Sequence, residues 1–128
     1  MKRDMELIRK ILFKIEEEYV STALVNLRID SYEKEQIAHH CKLIYEANLI
    51  DDYSEKYASN DLYLYSVGAL TWEGHDFLDQ IRQDTIWNKI KNVITRKGLP
   101  VSIDIIKSIA TSIISSMTQS AIKGLNIP

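Results

Sequence analysis

The chain has 128 residues, 45% hydrophobic and 27% charged, with a net charge of −2, four Gly and two Pro. That composition builds one soluble domain around a single core, and it excludes a collagen-like, disordered or disulfide-stapled chain as well as an enzyme with separate cofactor and substrate lobes. Residues 1–14 carry five basic and two acidic side chains, residues 15–80 four and fourteen, and residues 81–128 seven and two, so an acidic middle lies between two basic ends.

Residues 3–18 read as an amphipathic helix with Met5, Ile8, Ile11, Leu12, Ile15 and Tyr19 on one face. Phe13 falls opposite, beside Arg9 and Glu17, where it needs a contact from a later helix or from a partner. LVNLRI, residues 24–29, predicts a short strand. Asp30 and Ser31 supply N-cap chemistry for a helix to about Asn48. Its inner face is Ile37, His40, Cys41, Ile44 and Ala47, and its outer face Lys34, Glu35, Lys42 and Glu46.

Leu62 and Leu64 alternate with Tyr63 and Tyr65, a period-2 pattern. Strands around 50–53 and 62–67, joined by an acidic loop, predict a hairpin. Thr71 caps a helix beginning at Trp72, with Phe77, Leu78 and Ile81 buried. Either this helix continues through Asp84 and Thr85 or a new one starts there; the stripe that follows is Ile86, Trp87, Ile90, Val93 and Ile94. Gly98 ends it and Pro100 prevents its resumption. Ser102 caps a last helix to about Ile122, with Ile106, Ala110, Ile113, Met117 and Ala121 on one side and mostly Ser and Thr on the other. The fold class is therefore mainly α with a small β-hairpin, an α+β arrangement. A core over residues 1–84 carries a helical extension over 85–128, packed on the core or on a second subunit, within a single domain.

Helix, strand, helix and two-stranded hairpin is the order of a winged helix. HHCKLIYEANLID resembles the end of a recognition helix, where Ala47, Asn48, Leu49 and Ile50 turn the chain into the wing. ALTWEGHDFL resembles the exit of the wing's last strand, where Leu70, Thr71 and Gly74 open a new helix. Three longer phrases are similar to those of a group of bacterial and phage or prophage proteins catalogued as a domain of unknown function: MKRDM-x-LIRKIL over 1–12, Y-x-x-E-x-I-x-x-H over 32–40 and LTWEGHDFLD-x-x-R-x-D-T-x-W-x-K over 70–89. The resemblance extends less specifically to the last helix. It implies a winged-helix-like core and carries over no assigned chemistry. Asn48 stands where the group's phrase has Gly, and Asn tolerates the same left-handed backbone. Between the strand at 24–29 and the following helix there is no room for a separate positioning helix, so the DNA-docking geometry of a helix-turn-helix is not implied.

A groove-reading helix needs basic and amide side chains outward, because phosphates dominate affinity. Here the helix opens with Asp30, Glu33 and Glu35, and the loop in the wing's place carries Asp51, Asp52, Glu55 and Asp61 against Lys56. Candidate nucleic-acid contacts therefore lie elsewhere, at Arg9 and Lys10 on the first helix and Lys89, Arg96 and Lys97 on the fourth, where a solvated helix face is the plainer reading. Candidate partner contacts are Phe13, Tyr53, Tyr57, Ile113 and Met117. Trp72, Trp87, Tyr63 and Tyr65 sit at helix starts and on a strand, where aromatics close a core.

His39, His40 and Cys41 are adjacent, and consecutive helical side chains diverge by about 100°. His40 and Cys41 read as a hydrogen-bonded core histidine and a buried thiol rather than as a metal site with His75. No phosphate loop, G-x-S-x-G or metalloprotease motif is present. The sequence nominates no catalytic, cofactor-binding or metal residue, no cofactor and no small-molecule substrate. A single cysteine, no signal-peptide core after MKRDMELIRK and no run of 18 apolar residues lead to the expectation of a cytoplasmic protein without membrane association.

The last helix has no charged residue over 108–122. Its 103, 106, 110, 113, 117 spacing folds over Phe13 or pairs with a second chain, and the lack of Lys and Arg on its polar side sets a membrane-surface helix aside. The reading is a non-enzymatic, winged-helix-like interaction module of bacterial or phage origin that binds a protein partner or forms a homodimer. The alternative is a DNA-binding transcriptional regulator using the basic helix surfaces.

Overall fold

The computed structural model describes residues 1–125, in the mainly helical α+β arrangement expected from the sequence. They cluster in two compact units, Met1–Leu78 and a second from Asp79 onward. In the first unit, α1 (Met5–Glu18) starts where the Asp4 carboxylate accepts the N–H groups of Glu6 at 3.0 Å and Leu7 at 3.2 Å, which satisfies two of the free amides of a helix start. Met5, Leu7, Ile8, Ile11, Leu12 and Ile15 are buried. Leu7 widens the expected face, and Tyr19 is the non-helical C-cap.

The predicted strand 24–29 shortens to β1 (Leu24–Val25). Asn26 takes φ 51°, and its N–H and side-chain oxygen both bond the Tyr65 backbone, at 2.8 and 3.1 Å. The turn ends the ladder while keeping one last pair of bonds. The predicted caps Asp30 and Ser31 do not cap α2 (Lys34–Glu46): Ser31, at φ 74°, belongs to a turn closed by the Tyr32 N–H on the Ile29 carbonyl, and the N-cap is Glu33 without a side-chain bond. Ile37, Ala38, His40, Cys41 and Ile44 are buried, whereas Ala47, expected inside, is the exposed C-cap.

The hairpin is longer than expected. β2 (Tyr53–Ala58) takes up most of the stretch read as an acidic loop, and β3 (Asp61–Val67) returns from a two-residue turn with Ser59 at φ 60°. YSEKYA gives no apolar alternation because this strand projects from the core with little of either face covered. The antiparallel order is β1-β3-β2, with Leu24 and Tyr53 both opposite Val67 and a register shift between Lys56 and Tyr57. Tyr65, central in this sheet, is buried and its hydroxyl donates to the Leu27 carbonyl.

α3 (Trp72–Ile81) starts at the Thr71 hydroxyl, which accepts the Gly74 N–H at 2.9 Å. It stops at Ile81, and α4 (Asp84–Lys97) is a separate helix ended by Gly98 at φ 62°. In the second unit α4 buries Ile86, Trp87, Ile90 and Ile94, and it packs against α5 (Ile103–Gly124), whose Ser102 cap accepts the Ile105 N–H at 3.2 Å. Only Ile106 and Ala110 of α5 are buried among the described residues; Met117 and Ala121, expected on its inner side, are exposed. Among the described residues no helix is long and apolar enough to cross a membrane.

Candidate functional site

The outer face of α2 and the hairpin enclose a groove of about 340 Å³ lined by Glu35, His39, Lys42, Glu55, Tyr57 and Asp61, among others. Helical spacing sets Glu35, His39 and Lys42 along one side of α2. Period-2 alternation would turn Glu55 and Tyr57 to one face of β2, with the register shift between Lys56 and Tyr57 locally adjusting it. The Tyr53 hydroxyl donates to Glu55 Oε2 at 2.6 Å, and Lys42 Nζ lies 3.9 Å from Glu55 Oε1. Lys34 Nζ donates to the Tyr63 carbonyl at 2.9 Å, so this lysine is spent on tying the helix to the sheet. Burial, with the neighbouring His40 second, holds His39 below its usual value.

A second cavity of about 430 Å³ follows the turn before α2, lined by Asn26, Arg28, Ser31, Tyr32 and Tyr65, among others. The Tyr32 ring carries the Lys10 ammonium 5.4 Å from its centre. Burial, then the nearby Asp4, pushes the Tyr32 hydroxyl up.

Two of the groups that sequence offered for chemistry, His40 and Cys41, are inside the fold. His40 is fully buried, its Nε2 accepting the Asp4 N–H at 2.9 Å and its Nδ1 facing the Gln36 carbonyl at 2.8 Å. The neutral ring with the proton on Nδ1 satisfies both contacts. Cys41 is fully buried, and burial pushes its thiol from 9.0 up to about 12. His75 is exposed on α3, and among the described residues no three His, Cys, Asp or Glu side chains are placed to hold a metal ion.

This thiol makes alkaline stability testable. The unfolded chain releases the Cys41 proton near pH 9, while the folded chain holds it to about pH 12. Between those values the unfolded state binds fewer protons, so the thiol's contribution is intact below pH 9 and declines as pH rises, by about 1.4 kcal/mol per pH unit. Burial also raises the Tyr65 hydroxyl, in the same direction. Urea titrations from pH 8 to 11 should show Cys41→Ala flattening this decline; parallel pH dependences in the two proteins would refute the assignment to Cys41.

Of the candidate partner contacts, Tyr57 is 58% exposed on the groove rim. Tyr53, expected exposed, is half-buried because its ring lies low on the hairpin and its hydroxyl is bound to Glu55. Phe13 is half-buried with the Arg9 guanidinium 5.0 Å from its ring centre, and Ile113 is half-buried on α5. Arg9 and Lys10 belong to the first compact unit, and Lys89, Arg96 and Lys97, all exposed, to the second. Two aromatics read as core residues are outside instead: Tyr63 is 64% and Trp72 82% exposed, while Trp87 and Tyr65 are buried. Tyr63 shares the alternation of Tyr65 but sits nearer the projecting tip, and Trp72 starts a helix whose buried residues begin further on. The polar composition of residues 51–61 was the available sign that the tip is uncovered.

A family model described as hypothetical protein (DUF2513) matches residues 2–100. A Haemophilus influenzae (strain ATCC 51907 / DSM 11121 / KW20 / Rd) protein, described as an uncharacterized protein, is 43% identical over 122 residues, covering 91% of this chain and 98% of the relative. No solved structure matches.

Proposed function

The chain belongs to the DUF2513 family, and from that premise we propose that it is a non-enzymatic, winged-helix-like interaction module of bacterial or phage origin whose α2–hairpin face takes a protein partner. One observation carries this reading: the face that would grip a duplex in a winged helix is acidic, with Glu35, Glu46, Asp51, Asp52 and Asp61 exposed. Two of its lysines are already engaged, Lys34 on the Tyr63 carbonyl and Lys42 near Glu55. Carboxylates set against phosphates oppose docking and release no counterions. Tyr57 and Tyr63 stand exposed among these acids, and amphipathic aromatics are favoured contact residues at protein interfaces. A partner presenting Lys or Arg beside apolar side chains fits this surface.

The non-enzymatic part rests on how the reactive groups are used. The Cys41 thiol keeps its proton in an apolar setting, which makes a cysteine inert, and both ring nitrogens of His40 serve backbone groups.

A second reading, a DNA-binding regulator, is favoured by the exposed basic residues Lys89, Arg96 and Lys97 of α4. One experiment separates the two. Fluorescence anisotropy with random-sequence duplex DNA at low salt should give no binding, and amide shift mapping with a Lys/Arg-rich amphipathic peptide should perturb Glu35, Tyr57 and Tyr63. DNA binding with a log–log salt slope near −0.9 per neutralised phosphate, lost in a Lys89→Ala/Arg96→Ala/Lys97→Ala variant, would replace the first reading with the second.

A further inference from the structure

We propose that the C-terminal half of α5 is a homodimer seam, in which a second copy of the chain covers Ile113, Ile114 and Met117. The same helical stripe runs through Ile106, Ala110, Ile113, Met117 and Ala121. Its first two members are buried; then Ile113 is half-buried, as is Ile114 at its edge, Met117 is 50% exposed and Ala121 is exposed. The stripe thus outlasts its cover. Over 108–122 the helix is rich in Ser and Thr, which are middling helix formers, and an isolated helix of this length is marginal in water without packing.

Charge identifies the occupant. A two-fold interface sets a patch against itself, so any net charge there meets its like. Residues 108–122 carry no charge, in a chain with 16 basic and 18 acidic residues. A different partner would be selected by charged groups around the stripe, and an anionic membrane by Lys and Arg on the polar side; this stretch offers neither. Ser116 and Ser120 flank the stripe at helical spacing, and such small side chains let two backbones approach. A seam of about four turns is smaller than the standard interface of about 1,600 Å², so the dimer is expected to dissociate on dilution through the micromolar range.

This inference rests on the reading of the chain as an interaction module but uses a different surface, so the two fail separately. Light scattering on the full chain at about 100 μM should give nearly twice the 14.8 kDa monomer mass, falling on dilution. Ile113→Lys/Met117→Lys should give the monomer mass at every concentration with far-ultraviolet helicity largely kept. Gln119→Glu, on the opposite side of α5, and Glu35→Gln/Asp61→Asn, in the acidic face, should both remain dimeric. A monomeric wild-type chain at 100 μM, or a double-lysine variant that still dimerises, overturns the seam. Sedimentation of wild-type chain with phosphatidylcholine–phosphatidylserine vesicles, abolished by the double-lysine change, overturns it in favour of a membrane surface.

Discussion

Gly74→Ala is expected to lower the unfolding free energy by about 3 kcal/mol and the melting temperature by about 10 °C, although alanine is the better helix former by about 1 kcal/mol. A Cβ at position 74 would sit 2.0 Å from the Leu49 carbonyl oxygen and 3.0 Å from its carbon. Those are backbone atoms with duties of their own. The Thr71 N–H donates to the Leu49 carbonyl at 3.0 Å, and the Thr71 hydroxyl donates to the Asn48 carbonyl at 2.7 Å. Asn48 itself turns at φ 65° and reaches Glu73 with its side-chain amide at 2.9 Å. Making room for one methyl group means prising the start of α3 from the turn after α2. Urea denaturation of the two proteins measures the difference, and a change below about 0.5 kcal/mol would show that this junction yields freely.

His40→Leu is expected to cost about 2 kcal/mol while leaving the core volume nearly filled. Leucine supplies no acceptor for the Asp4 N–H, which then has a partly buried donor without its partner. Asp4 also holds the Glu6 and Leu7 amides, so hydrogen exchange should quicken across the first turn of α1 before it does elsewhere. His40→Ala adds a cavity to the same loss, for about 4 kcal/mol in all. A negligible loss in His40→Leu beside a large one in His40→Ala would mean that packing, and not the bond to α1, is what His40 supplies. Unchanged exchange at Glu6 and Leu7 would mean that the cap stands without it.

The reading of His40 and Cys41 as interior groups came from their place on the apolar side of a helix, and both are buried. The identity of the His40 partner was beyond reach, because Asp4 lies 36 residues away. The acidic character of the hairpin was visible as composition, since Asp51, Asp52, Glu55 and Asp61 stand within eleven positions. Its extent as a strand was not visible. YSEKYA pairs through its backbone with β3, and backbone pairing leaves little mark on side chains that face water on both sides. The exposure of Tyr63 and Trp72 leaves no local sign for a related reason: whether an aromatic closes a core depends on what the rest of the chain places above it.

Residues within four positions of one another decided the helix starts at Thr71 and Ser102 and the stop at Gly98, because a cap is a bond between near neighbours or a backbone angle only certain residues accept. Charge placement along the chain was likewise complete before any folding. The short β1, the Tyr65–Asn26 pairing and the His40 tie to α1 depended on pairings across 36 to 43 residues. Such bonds form only when the hydrophobic faces of α1, α2 and the sheet have brought distant segments into one core, so no local window of the chain contains them.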